Sequence, residues 1–205
     1  MIDYLAGKVQ VLAEHVRRDQ RPAALGHAEA ALPIGILIDA GLIVTATCAD
    51  CHGAHSALPA DDPRSMTHPR HIAGTCGVCH HGVEEQFRKS IHWVEQPDVG
   101  QEHPTCEDCH ASHTISRAEK PGFRTRMMEQ CGHCHVDQAE TFFDTFHGKV
   151  SHLGGEAAAK CHDCHGVHDI LPPTDQASRL SRENVVETCG ACHEGSHRRF
   201  AGYLT

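Results

Sequence analysis

Twelve cysteines and six of the 21 histidines fall into one repeated arrangement, Cys-x-x-Cys-His. The copies are Cys48/Cys51/His52, Cys76/Cys79/His80, Cys106/Cys109/His110, Cys131/Cys134/His135, Cys161/Cys164/His165 and Cys189/Cys192/His193, and no cysteine lies outside them. Positions i, i+3 and i+4 of a helical turn share a face, so two thiols and one imidazole meet there. That set suits a particular chemistry. The thiols add across the two vinyl groups of a haem, and the imidazole takes the proximal axial position on the iron. Cys-x-x-Cys pairs also build zinc knuckles, redox dithiols and disulfide scaffolds, but none of these needs His directly after the second Cys. Six copies without exception imply six covalently attached haems c.

The motifs alternate between two kinds. Kind A is Cys-x-x-Cys-His-x-x-His and ends at His55, His113 and His168. Two of its copies run on to Ile115 and Ile170. Kind B begins Cys-Gly-x-Cys-His, has Phe87, Phe142 or Phe200 seven residues past its His, and then His92 and His147 five residues further on. Kind A recurs at steps of 58 and 55 residues, kind B at 55 and 58. A fixed period marks a repeated structural unit. The chain therefore divides into an N-terminal segment, 1–47, and a hexahaem domain of three two-haem repeats, 48–105, 106–160 and 161–205. In the third repeat Thr205 stands where the register places the next histidine.

Six irons with two axial ligands each need six histidines besides the proximal ones, and 15 remain. His55, His113 and His168 follow their own proximal His too closely to reach the far face of the same haem, so they are expected to ligate neighbouring ones. His92 and His147, 12 residues past theirs, are expected to do the same. The sixth distal ligand is left among His15, His27, His68, His71 and a histidine of a neighbouring molecule, with His15 favoured. His103, His133, His152, His162 and His197 have no counterpart in the repeat and read as solvent or propionate contacts. His81 is poorly placed beside His80. The four methionines occupy no repeat position, so ligation by two histidines is expected. Two imidazoles keep an iron low-spin and leave no position open to substrate.

The elements carrying these residues are expected to be helical. Residues 84–92 and 137–147 contain no Gly or Pro and read as helices running to His92 and His147, ending near Pro97 and Gly148. Residues 2–18 carry an apolar stripe of Leu5, Val9, Leu12 and Val16, with His15 at its edge. Residues 57–69 read as loop, and no segment alternates as a strand does. Aromatics are only 4% of the chain, too few bulky side chains for an ordinary core. The expectation is a mainly α protein with much irregular loop, no substantial β-sheet, and the polypeptide wrapped round a chain of six stacked haems.

The formal charge of −9, made about six units more negative by haem propionates, argues against nucleic acid or an anionic membrane as partner. Residues 32–44 are the longest apolar run, too short to cross a bilayer. No leader sequence is visible in residues 1–20. Haem of this kind is attached after export, so a removed leader, or a fragment of a longer protein, is expected.

The six Cys-x-x-Cys-His motifs, the extra His of CHGAH, CHASH and CHGVH, and the Phe-x4-His spacing resemble the multihaem c-type cytochrome superfamily. The likeness covers about residues 48–205 and includes periplasmic multihaem cytochromes and subunits of extracellular cytochrome filaments. It implies bis-histidine haems in stacked pairs and an exported protein, periplasmic or at the cell surface. The expected activity is electron transport, with redox proteins or further copies of the chain as partners, in a filament or a larger complex, and no enzymatic turnover. The alternative is a multihaem reductase of a small oxyanion with one iron open to substrate.

Overall fold

A computed structural model describes residues 46–95 and 103–202. Thiol motifs of kind A each form a one-turn helix: α1 (Cys48–His52), α4 (Cys106–His110) and α8 (Cys161–His165). The four open N–H groups of a helix start need acceptors. Here an aspartate three residues in accepts the first of them. The amide of Thr47 donates to Asp50 Oδ2 at 2.7 Å, that of Thr105 to Asp108 Oδ2 at 2.6 Å, and that of Lys160 to Asp163 Oδ2 at 2.7 Å. Thr47 and Thr105 add their hydroxyls to the same oxygens, a reciprocal cap of the kind that fixes a helix start. After the proximal His the chain reverses through a residue with φ of 77° at Gly53, 58° at Ala111 and 92° at Gly166. His55, His113 and His168 therefore lie beyond a reversal, not on the helical turn of their own motif.

Kind B motifs close longer helices: α2 (Pro69–Gly77), α5 (Phe123–Cys134) and α9 (Val185–Gly190). His80 and His135 sit at kinks with φ/ψ of −110°/45° and −99°/56°. From these kinks run α3 (His81–Phe87) and α6 (Val136–Asp144). The glycine of each kind B motif has a packing reason. A Cβ on Gly77 would lie 3.2 Å from Glu84 Cβ and 1.9 Å from its carboxylate, one on Gly132 3.3 Å from Ala139 Cβ, and one on Gly190 3.2 Å from Ser196 Oγ. The segment after the proximal His folds back over that glycine.

The expected helices over 84–92 and 137–147 are corrected. The first ends at Phe87 and the second at Asp144; neither reaches its distal histidine, and neither ends near Pro97 or Gly148. Hydroxyl residues three places after each Phe are the cause. Thr145 is extended, and its Oγ1 accepts from the Gly148 amide at 3.1 Å, starting α7 (Phe146–His152). Ser90 Oγ likewise accepts from the His92 amide at 3.2 Å. Such side chains compete with the helix for backbone partners. Gly148 thus lies inside α7, where a Cβ would fall 2.0 Å from the Phe142 carbonyl oxygen. The last element is α10 (Arg198–Ala201).

Residues 57–68 form the expected loop, and Pro69 opens α2. The loop is built in the first repeat as in the third. Ser65 Oγ donates to the Leu58 carbonyl and Ser178 Oγ to that of Leu171, both at 3.2 Å. Thr75 and Thr188 donate to the carbonyls of Met66 and Arg179 at 2.8 and 2.7 Å. Among the described residues no strand forms, only Ile72, Met128 and Ala201 are buried apolar residues, and the other buried side chains include Ser65, Ser90, Ser151, Ser178 and Ser181. Val78, Phe146 and Leu153 are largely exposed. Serine-to-carbonyl bonds, rather than an apolar core, hold these loops. No helix among the described residues is long and apolar enough to cross a membrane.

Candidate cofactor-binding array

Motif helices follow one another as packed neighbours in chain order: α1 on α2, α2 on α4, α4 on α5, and α5 on α8. Their thiols meet in the same order. Cys76 and Cys106 are interacting neighbours, and their interaction lowers the Cys76 thiol and raises that of Cys106. Cys131 and Cys161 form the same kind of pair, with the Cys131 thiol lowered and that of Cys161 raised. Burial pushes the Cys109 thiol up to about 11 and raises those of Cys51 and Cys164. Charge from the aspartate of their own motif, Asp50, Asp108 or Asp163, acts on these three, as does charge from the thiols of the next: Cys76 and Cys79, Cys131 and Cys134, and Cys189 and Cys192 respectively. Packing thus links the first motif to the fifth, and Cys164 lies within the field of Cys189 and Cys192 of the sixth. Cys48 is exposed.

Histidines pair across repeats. His52 and His113 have ring centroids 6.0 Å apart and planes 8° apart; His110 and His168 are 6.0 Å apart at 32°. His92 and His135 are 6.1 Å apart at 47°, and His147 and His193 5.8 Å apart at 49°. These separations exceed van der Waals contact between rings. They match the spacing of two imidazoles bound to one metal, since two bonds of about 2.0 Å plus the ring radii put the centroids about 6 Å apart. In every pair one member is a proximal histidine and the other a histidine expected as distal. Kind A gives its extra histidine to the preceding repeat, and kind B gives its to the following one.

The environment lowers the basicity of several proximal and distal rings. Desolvation is the first cause of the lowered basicity of His92, His110, His165 and His168. A neutral imidazole is the form that binds a metal. Phenylalanines flank two proximal rings, with Phe123 6.2 Å from His110 and Phe200 5.0 Å from His193.

His55, His80 and His165 face no other histidine at this spacing among the described residues. His15 and His27 lie outside the described residues. His68 is buried, caps α2 by accepting from the Arg70 amide at 3.2 Å, and has its ring 6.2 Å from that of His71, which bonds the Pro63 carbonyl at 2.9 Å. Neither of them meets a proximal histidine. Four histidines outside the repeat have structural partners: His162 accepts from Arg124, His197 caps α10, His152 packs edge-on to Phe143, and His81 lies beside Glu84 and Glu85.

Among the described residues no three His, Cys, Asp or Glu side chains converge as a cage for a bare metal ion. The arrangement instead offers opposed imidazoles with thiol pairs beside them, in a chain whose described residues bury few apolar side chains. Such a frame fits a flat apolar group with a metal at its centre. Sequence reasoning missed the cross-repeat direction of each pair and the bond partners of Lys160, which no periodicity signals. No protein family, no curated protein and no solved structure matches the chain.

Proposed function

We propose that the chain binds six haems c and serves as an electron conduit through them. The observation that carries this reading is the set of four histidine pairs at 5.8–6.1 Å. Each joins a Cys-x-x-Cys-His motif of one repeat to a register-equivalent histidine of an adjacent one. When bound, haem would supply a one-electron iron couple at each position. The chain's own part is attachment and orientation. Each cysteine pair, Cys48 and Cys51 for example, would form two thioethers; His52, His80, His110, His135, His165 and His193 would hold the proximal faces. His113, His168, His92 and His147 would hold distal faces and exclude substrate from those irons. Motifs packed in chain order from the first to the fifth, with the sixth beside them, would give closely spaced redox centres, which suits transfer from end to end rather than catalysis. The site of action would be periplasmic or extracellular, and the protein would not be an enzyme.

Partners would be redox proteins or further copies of the chain. In a head-to-tail arrangement, His55 of one copy would stand to His165 of the next as His113 stands to His52. His15 or His27 could complete a remaining iron in place of a neighbour. The second reading, a reductase of a small oxyanion, would use an iron at His80 or His165 that stays open.

The test is haem quantification per chain with electron paramagnetic resonance and optical spectra of the oxidised protein. Six covalently bound low-spin haems are expected. Fewer than six, or none, sinks the reading. A sixth of the haem in a high-spin form that binds cyanide or nitrite moves the reductase ahead.

A further inference from the structure

The three kind A motifs are alike in fold and unlike in charge. Asp50 in the first and Glu107 and Asp108 in the second have no Lys or Arg within ion-pair distance among the described residues. In the third, Asp163 pairs with Arg124, which also donates to His162 Nε2 and to the Glu156 carbonyl, both at 3.3 Å. A second cation stands beside it. Lys160 takes the cap position held elsewhere by Thr47 and Thr105, and its amide alone keeps the bond to Asp163. Its side chain turns inward and is 1% exposed. The ammonium donates to Ser151 Oγ at 3.0 Å and to the Gly155 carbonyl at 2.8 Å, both neutral acceptors. Two carboxylates therefore lie in the second motif, and an unneutralised buried cation lies in the third.

We propose that Lys160, supported by Arg124, makes the haem of the third kind A motif the most readily reduced of the array. This inference rests on the six-haem reading above. An oxidised haem centre carries one more positive charge than a reduced one. A buried ammonium, poorly screened in a low dielectric, disfavours that extra charge, and carboxylates favour it. Net charge and burial are among the levers that set such potentials. An electron entering elsewhere would come to rest at Cys161–His165. The haem attached at Cys131, on the helix packed against Cys161–His165, would feel the same field more weakly.

Reductive potentiometric titration followed optically tests this in wild type, Lys160→Thr and Lys160→Arg. Threonine is the residue of the other two caps, so the helix start is retained. In Lys160→Thr the highest-potential component, about one sixth of the absorbance change, should move to lower potential, with six low-spin haems still present. Lys160→Arg should restore the wild-type curve. A Lys160→Thr curve superposing on wild type at six haems per chain overturns the proposal. Should that variant fail to accumulate, Arg124→Gln removes the outer cation; the same component should fall, and an unmoved curve again overturns it. Wild type without six haems would instead count against the haem reading itself.

Discussion

Kind A and kind B motifs use the same five-residue chemistry in opposite structural senses. Kind A begins a helix and then reverses at a positive φ; kind B ends a helix and then kinks at its histidine. The reversal carries His113 and His168 back towards His52 and His110, while the break after the kink carries His92 and His147 forward to His135 and His193. No repeat is therefore complete alone. The middle repeat lends one histidine backward and one forward, the first lends one forward and the third one backward, so the repeats interlock through histidine pairs.

The largest expected effect comes from cutting one strand of that exchange. His113→Ala should open the iron at His52, and His92→Ala the iron at His135, each turning one haem of six high-spin. Each single variant should bind one cyanide per chain, and the double variant two. If His113→Ala and His92→Ala disturbed the haems of their own motifs instead, the opposed directions of the two kinds would be wrong.

The next effect separates the kinds by packing. Gly77→Ala should destabilise by about 1–3 kcal/mol, because the new Cβ meets Glu84, including its Cβ at 3.2 Å. Gly148→Ala should cost more, since its neighbour at 2.0 Å is backbone. The second position of the first kind A motif is already Ala49 and exposed, so Ala49→Gly should change stability by under about 1 kcal/mol. Denaturant midpoints of the holoprotein measure all three, and equal losses at Gly77 and Ala49 would erase the distinction.

The smallest effect has the opposite sign. Ala111 holds φ 58° and ψ 162°, where the other two kind A motifs have Gly53 and Gly166. That region is almost reserved for glycine and costs a side chain about 1–3 kcal/mol. Offset by glycine's greater chain entropy, Ala111→Gly should stabilise by roughly 1 kcal/mol and raise the denaturant midpoint.

Much of this was legible in the sequence, for a physical reason. Thiols and histidines that act together within one short motif must keep a fixed spacing along the chain, so the motif positions, the two kinds and the histidines that pair across them could be read directly. The mainly helical, strand-free character of the described residues was legible too. The helix ends were not. Composition favoured helix through residues 84–92 and 137–147, but the hydroxyls of Ser90 and Thr145 take over backbone bonds and stop it. The signal was present as a hydroxyl residue three places after Phe87 and Phe142. The direction in which each histidine is lent depends on a reversal at one residue and a kink at another, and spacing does not encode that. Nor does any pattern mark Lys160, whose inward turn depends on Ser151 and Gly155 being in reach.

One backbone tie skips a repeat. The Ile170 carbonyl, in the third repeat, accepts the Ile91 amide at 2.8 Å and the Ser90 hydroxyl at 3.2 Å, both from the first. By ligand register alone the middle repeat is a removable cassette: with it gone, His168 would fall to His52, and His92 to His193. The Ile170 tie makes such a deletion unequal to its arithmetic, because a bond reaching two units along would have to close over one. The array can be counted in interchangeable modules by its histidines, yet its polypeptide is stitched at a longer pitch, and lengthening or shortening it means resewing that seam.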